Sequence, residues 1–566
     1  MIDLNEHYAG VAEAFLQTAI VIDDQAQFGP ITMVGPTAPV VAPTSSILDT
    51  ATTAQPVAEA AVTVAVEPRS EPPAATLDAK TLSEAFLAKR MICGLYRPSS
   101  GENMVDKSVG VAQAADVVVV DWHLVQGSSR QAKDIVIGLL KADREEKGRL
   151  RLIAIYTSQP GREAIATELL SEIVETPNLA GMLQQDGPVL SSTDTRIVVL
   201  NKTRTPDAAD REEVPEEALP ARLVAEFAHL SRGLLASFAL SSVAAVRRGA
   251  HHVLALYTSE LDGAFVAHRC AIPNPDDSKS FGLDLITSEL RNLIEVDNVA
   301  DETLGAPVVE AWIAQKIEAG HEFKSDYAQI PNDAVKKLVT GGIAALNETK
   351  GGHHVPGQAD EKADRAIKPG VLARVFYEDA DKAKEGVRTL SCLSTFQRER
   401  SRARLPAEWR PKLTLGTLVK RVADNDGGEL LLCVQPRCDS IRLTERTAFP
   451  FQSIKTQGNV FNLVVPAANG AGQEVWVNMK PRDARMIEFD PEQPARMILG
   501  TRDEMLDDFI FTDSEGTRYA WVGDIKPMKA QRWVVELGAR VQAVGMEEFE
   551  WLRLASEEQI KQNWAA

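Results

Sequence analysis

Four apolar runs, far apart in the chain, each end in a polar group. They are Ile20-Val21-Ile22 before Asp23-Asp24, Val117-Val118-Val119-Val120 before Asp121, Ile153-Ala154-Ile155-Tyr156 before Thr157, and Ile197-Val198-Val199-Leu200 before Asn201-Lys202. Apolar runs without polar alternation fit strands covered on both faces, as in a parallel sheet. Helical patterns over residues 79–90, 103–114, 132–147 and 161–175 fall between them, with a further strand at 92–96. Strands alternating with helices define a doubly wound α/β domain, here residues 1–205. Ligands of such sheets bind outside the carboxyl ends of the strands, so the four polar closures are expected to converge there. Residues 4–17 add an amphipathic helix ahead of the first strand.

The converging residue types suit phosphoryl transfer to a carboxylate. A carboxylate attacks phosphorus only when the charge of the incoming group is neutralised. Asp23, Asp24 and Asp121 can share a Mg²⁺ ion, which takes few protein carboxylates and shares phosphate oxygens. Without a cation, three converging acids repel one another by roughly a few kcal/mol. Asp121 is then metal ligand and nucleophile, Lys202 pairs with phosphoryl oxygens, and Thr157 hydrogen-bonds to one of them.

This pattern resembles the receiver domain of two-component response regulators, a phosphoaspartate switch on a flavodoxin-like fold. The resemblance puts the acid pair at Asp23-Asp24, the phosphoacceptor at Asp121, the hydroxyl at Thr157 and the lysine at Lys202. Leu124 stands three residues beyond the acceptor, where receivers carry an aliphatic residue or Met. The resemblance also implies the main-chain carbonyl of His123 as a metal ligand, Mg²⁺ as cofactor, and a histidine kinase or phosphotransfer protein as phosphoryl donor. Three positions depart from the pattern: Thr203 replaces the usual proline after the lysine, Val199 the usual aromatic switch residue, and Val125 the proline of the acceptor loop. The departures imply that phosphorylation is relayed by a surface other than the usual threonine–aromatic route.

Composition limits the alternatives. At 566 residues the chain has room for about three or four domains. A net charge of −19 argues against a nucleic-acid or anionic-membrane binder, which needs a basic footprint. The basic stretch at residues 398–404 reads as a solvated helix or linker face. No apolar run reaches the ~20 residues of a membrane span, and residues 1–6 lack a secretory leader's charge pattern. Five scattered cysteines do not form a disulfide framework, so the expected compartment is the reducing cytoplasm.

Residues 30–78, rich in Pro, Ala, Thr and Val, read as a disordered insertion, because they cannot bury enough apolar surface to offset ordering. Residues 206–390 read as a helical middle domain, with helical stretches at 218–258, 281–295, 308–319 and 333–346 and a loop at 347–370. Residues 391–566 read as a β-rich α+β module, with short β runs at 412–421, 429–434, 460–465, 474–479 and 518–522, a helix at 528–544 and an aromatic tail at 549–552. His353-His354 lacks spaced metal partners, and Cys433, Cys438 and Cys392 read as buried free thiols. Ala228-His229-Leu230-Ser231-Arg232-Gly233 resembles the helix motif of histidine phosphotransfer domains, but His229 reads as a structural histidine beside a helix-packing glycine.

The expected function is that of a cytoplasmic phosphorelay response regulator with a non-DNA-binding output. Its architecture is similar to components of bacterial anti-phage phosphorelays of the Detocs type. Two other readings stay open. One is an effector enzyme in the C-terminal half gated by the receiver, for which Asp439, Asp490 and Lys526 are scattered candidates. The other is a phosphate-storing or docking scaffold. A further copy of the chain or an effector protein is open as a partner, and beyond the receiver's own phosphorylation and dephosphorylation no activity is indicated.

Overall fold

The computed structural model describes residues 2–27, 77–98, 103–125, 127–146, 148–203, 205, 213–272, 275–325, 329–345, 348–349, 352–353, 372–397, 405, 408–422, 428–454, 461–466 and 472–541. The predicted insertion therefore lies outside the described residues except for Leu77 and Asp78. So do the basic stretch 398–404, most of the loop 347–370 and the aromatic tail. The chain forms two compact units, residues 1–262 with 281–312, and residues 263–280 with 313–566.

In the first unit, helix α1 (Leu4–Phe15) starts at Asp3, whose carboxylate accepts from the Asn5 N–H. Strand β1 (Thr18–Ile22) follows directly. Helix α2 (Ala79–Ala88) is capped by Asp78, whose carboxylate accepts from the N–H groups of Lys80 and Thr81. Then come β2 (Ile92–Tyr96), α3 (Met104–Gln113), β3 (Val117–Val120), α4 (Arg130–Glu145), β4 (Arg151–Thr157) and α5 (Arg162–Glu175). A hairpin, β5 (Gln184–Asp186) and β6 (Val189–Ser191), precedes β7 (Thr195–Asn201) and α6 (Leu219–Ala228).

The sheet order is β2-β1-β3-β4-β7-β6-β5. The first five are parallel, and the hairpin extends the sheet antiparallel from β7. Without the hairpin this is the flavodoxin-like order, whose switch point lies between β1 and β3. Ile22 is in register with Val120, Val120 with Ile155, and Thr157 with Asn201, so the carboxyl ends are level. Alternation within the strands feeds two cores. Val117 and Val119 pack on the face with α1, α2 and α6, and Val118 and Val120 on the face with α4 and α5. The expected doubly wound α/β domain is present.

The helical stretch predicted at 218–258 is interrupted. Gly233, at φ +124°, breaks it between α6 and α7 (Leu234–Leu256), a conformation that L side chains rarely adopt. Helix α7 lies against α1, where the Arg247 guanidinium bonds both Asp116 oxygens and the Phe15 carbonyl. Helices α8 (Asp262–Ala271), α9 (Ser278–Val296), α10 (Val299–Leu304) and α11 (Ala306–Glu318) continue the helical region, and Val308 and Ala311 join the core beneath α6.

The second unit holds α12 (Asn332–Gly341), α13 (Ala380–Thr395) and an antiparallel sheet. Its strands are β8 (Thr417–Arg421), β9 (Leu430–Cys433), β10 (Thr447–Ile454), β13 (Ala484–Phe489), β14 (Thr501–Asp503), β15 (Asp508–Thr512) and β16 (Arg518–Asp524), in the order β13-β10-β9-β8-β16-β15-β14. A separate hairpin pairs β11 (Leu463–Val465) with β12 (Gln473–Val475). One sheet face packs against that hairpin and α14 (Pro527–Val541), and the other gathers Phe449, Phe451, Phe489, Phe511, Tyr519 and Trp521. This is the β-rich module expected from the sequence, with α13 and α14 making it α+β.

Candidate functional site

The four polar closures do converge. Main-chain pairing sets them in place: the Asp121 N–H donates to the Ile22 carbonyl at 2.9 Å, and the Lys202 N–H to the Thr157 carbonyl at 2.8 Å. The extended backbone of each strand stops where its side chain leaves the sheet edge. Asp23, Asp121, Thr157 and Lys202 are all buried, and Asp24 is half-buried.

Lys202 is the centre of the cluster. Its Nζ donates to Asp23 Oδ2 at 2.7 Å and to Asp121 Oδ2 at 2.5 Å, and lies 5.7 Å from the centre of the Tyr156 ring. The remaining oxygens are arranged differently. Asp23 Oδ1 accepts from the Gln25 N–H, and Asp121 Oδ1 from the N–H of His123. Asp24 Oδ1 is buried and accepts no hydrogen bond. Carboxylate oxygens of Asp23, Asp24 and Asp121 all lie within 4.8 Å of one another. Thr157 Oγ1 accepts from the Gln159 N–H, closing a small turn after the strand.

The electrostatics follow from this packing. Burial holds the Asp24 carboxyl above the ordinary carboxylate range, and the neighbouring Asp121 charge adds to the effect. Burial raises Asp23 as well, against the pull of Lys202. Burial alone would lower the Lys202 ammonium, but Asp121 and Asp23 outweigh it and hold its pKa above the usual lysine value. One ammonium thus faces three carboxylates, and a buried carboxylate oxygen is left without a donor. A hard divalent cation with oxygen ligands fits that donor set. Among the described residues no other group of acids, histidines and cysteines comes together in this way.

Other residues singled out from the sequence do not join the site. His229 lies in a 3-10 turn after α6, exposed, with its Nε2 3.2 Å from Arg232. Its neighbour Arg196 sits near the start of β7 and is bound to Glu226, whereas Lys202 follows the end of that strand. At ~3.3 Å per residue, the length of β7 separates the two ends. Asp490 is paired with Arg446, and Lys526 donates to the Leu393 carbonyl. Cys392 and Cys433 are buried, and burial pushes the Cys433 thiol up to about 12. Cys438, expected to be buried, is exposed on a 3-10 turn, because the chain leaves the sheet after Cys433. His353 falls in a two-residue strand, and His354 lies outside the described residues.

Two neighbours of the site were not anticipated as participants. Asn201 is fully buried, and its Nδ2 donates to the carbonyls of Thr157 and Gln159. The Tyr156 hydroxyl donates to the Val214 carbonyl at 2.6 Å. A polar residue inside an otherwise apolar strand end was the available signal for Asn201.

Residues 15–207 match the family model of the response receiver domain. No curated protein and no solved structure matches the chain. Residues 15–207 are therefore a receiver domain, which supports a phosphorelay response-regulator role in general and interaction with a kinase or phosphotransfer partner. No described helix is long and apolar enough to cross a membrane.

Proposed function

We propose that the protein accepts a phosphoryl group on Asp121 from a partner histidine kinase and thereby switches the helical and β-rich regions beyond residue 205. The observation that carries the reading is the cluster itself, with Asp121 held between the ammonium of Lys202 and the two acids Asp23 and Asp24. Asp23, Asp24 and Asp121, with the main-chain carbonyl of His123, are the residues that would hold Mg²⁺. When bound, the ion neutralises phosphate charge and offsets the mutual repulsion of the acids.

The remaining chemistry belongs to the chain. An Asp121 carboxylate oxygen forms the new bond to phosphorus as the donor's P–N bond breaks, and the electron pair leaves with the donor imidazole. Lys202 moves from its carboxylate partners to phosphoryl oxygens, as a charge-assisted donor. The Thr157 hydroxyl exchanges the Gln159 N–H for a phosphoryl oxygen, to which it donates. Hydrolysis of the acyl phosphate by water resets the carboxylate.

Acetyl phosphate with Mg²⁺, followed by intact-mass analysis, tests the assignment. The wild-type chain is expected to gain a labile phosphate adduct that chelation of the metal prevents, and Asp121→Asn to gain none. A normal adduct on Asp121→Asn would defeat it.

A further inference from the structure

Val214 lies outside the acidic site, yet two of the four strands that end in it, β4 and β7, hold its main chain. The Val214 N–H donates to the Asn201 carbonyl at 2.9 Å, one residue before Lys202. The Val214 carbonyl accepts from the Tyr156 hydroxyl at 2.6 Å, one residue before Thr157. Glu213 extends the contact as a parallel bridge to Asn201. Val214 is buried at 5% exposure, within the core that α1 and α6 share. The next residue, Pro215, accepts from the N–H groups of Ala218 and Leu219 and so opens α6. Through α6 the segment reaches Phe227, whose ring stacks on Phe15 of α1 at 5.6 Å.

We propose that Val214 is a latch that carries the state of the acidic site to α6, which makes residues 213–228 the receiver's output element. The inference rests on the phosphoacceptor reading of Asp121. Tyr156 is joined to the site twice over: it precedes Thr157, and its ring lies beside the Lys202 ammonium. Asn201 is joined in the same way, since it precedes Lys202 and its side chain holds the Thr157 and Gln159 carbonyls. Transfer of Thr157 and Lys202 to phosphoryl oxygens shifts the ends of β4 and β7 relative to each other. Two hydrogen bonds from one residue to two strands do not both keep their geometry through such a shift. Modification of Asp121 therefore loosens Val214 and frees the start of α6.

Hydrogen exchange by mass spectrometry on the full chain, with and without acetyl phosphate and Mg²⁺, tests the latch, and intact mass of the same samples reports the adduct. In the wild type the amides of residues 213–219 are expected to exchange about fivefold to tenfold faster once Asp121 is modified, the factor for one neutral hydrogen bond. Tyr156→Phe keeps the ring and removes the donor. It should form the adduct to the same extent, exchange faster at 213–219 before modification, and respond little further. An adduct on the wild type with unchanged exchange at 213–228 overturns the latch alone, whether or not the variant folds. A Tyr156→Phe response equal to that of the wild type does the same. Absence of the adduct from the wild type overturns the phosphoacceptor reading and the latch together.

Discussion

Asp24 and Lys202 carry opposite imbalances in one pocket, and each predicts a different response to mutation. Asp24 Oδ1 is buried without a hydrogen-bond donor, a situation that costs roughly 1–3 kcal/mol in a folded protein. Asp24→Asn removes a charge that burial and the neighbouring Asp121 disfavour, so stability without metal should stay within about 0.5 kcal/mol of wild type or rise. The same change should abolish stabilisation by Mg²⁺, which for the wild type reaches about 2.7 kcal/mol at a hundredfold excess over Kd. Lys202→Ala acts the other way. It leaves Asp23 and Asp121 buried without their shared partner, at a cost on the order of 3–5 kcal/mol, and Mg²⁺ should restore part of the loss. Urea midpoints of both variants with and without Mg²⁺ would separate the two cases; a Mg²⁺ response in Asp24→Asn equal to wild type would remove that residue from the metal set. The five residues of the cluster were legible in the sequence because each closes an apolar run, a signal that local pattern contains. Tyr156 and Val214 were not, because their hydrogen bond joins positions 58 residues apart and neither residue breaks its local pattern.

Among the elements, α7 is held against α1 through the polar anchor Arg247. Arg247 spans the two Asp116 oxygens at 3.1 and 3.0 Å and covers the Phe15 ring at 4.7 Å, so one side chain ties the helix to both β1's approach and β3's. Arg247→Ala should cost about 2 kcal/mol, the range of hydrogen bonds to charged groups. The pH dependence has a definite sign. Burial alone would raise the Asp116 carboxyl, but the Arg247 guanidinium and the N–H groups of Gln17 and Thr18 outweigh it, and its folded pKa lies below 3.8. A depressed acid contributes stability that is complete above the unfolded value and disappears as pH falls through the folded one. The stability difference between wild type and Asp116→Asn, read from urea unfolding, should be constant near neutral pH and close below pH 3.8. A difference that grew on acidification would contradict the anchor. Elements were unevenly legible for local reasons. The hairpin β5–β6 carries an Asp186-Gly187 turn, with Gly187 at φ +55°, but its strands are three residues long and too short for periodicity to register. Strand β10 was missed because Pro450 lies in its middle, and a proline ordinarily marks an edge. Here Pro450 pairs with Met486, and its carbonyl still accepts from the Val434 N–H, so the strand stays interior despite the missing donor.

Across the whole molecule, the phosphoacceptor chemistry and the antiparallel β architecture belong to different units. Every residue of the acidic cluster and of the Val214 contact falls within residues 1–262, while the antiparallel sheet falls within 313–566. The sequence made the first unit's role readable because catalytic residue types recur at strand ends, where topology brings them together. It made only the class of the second unit readable, since Asp490 and Lys526 are engaged by separate partners and, among the described residues, no group of three acids, histidines or cysteines gathers there. What the second unit shows instead is a core of aromatic rings, with Trp521 at 0% exposure, 5.3 Å from Trp409 and 6.0 Å from Phe509. Replacing such a ring by alanine costs about 3–5 kcal/mol, through lost transfer energy and the cavity left behind. Trp521→Ala should therefore lower the unfolding transition of the β-rich unit by that amount. The acetyl phosphate adduct on Asp121 should form to the same extent as in the wild type, because none of the groups that bind or orient the phosphoryl lies in that unit. Thermal unfolding and intact mass on the same variant check both halves of the expectation. Loss of the adduct in step with loss of the sheet would mean that the receiver needs the second unit in order to react, not only in order to signal.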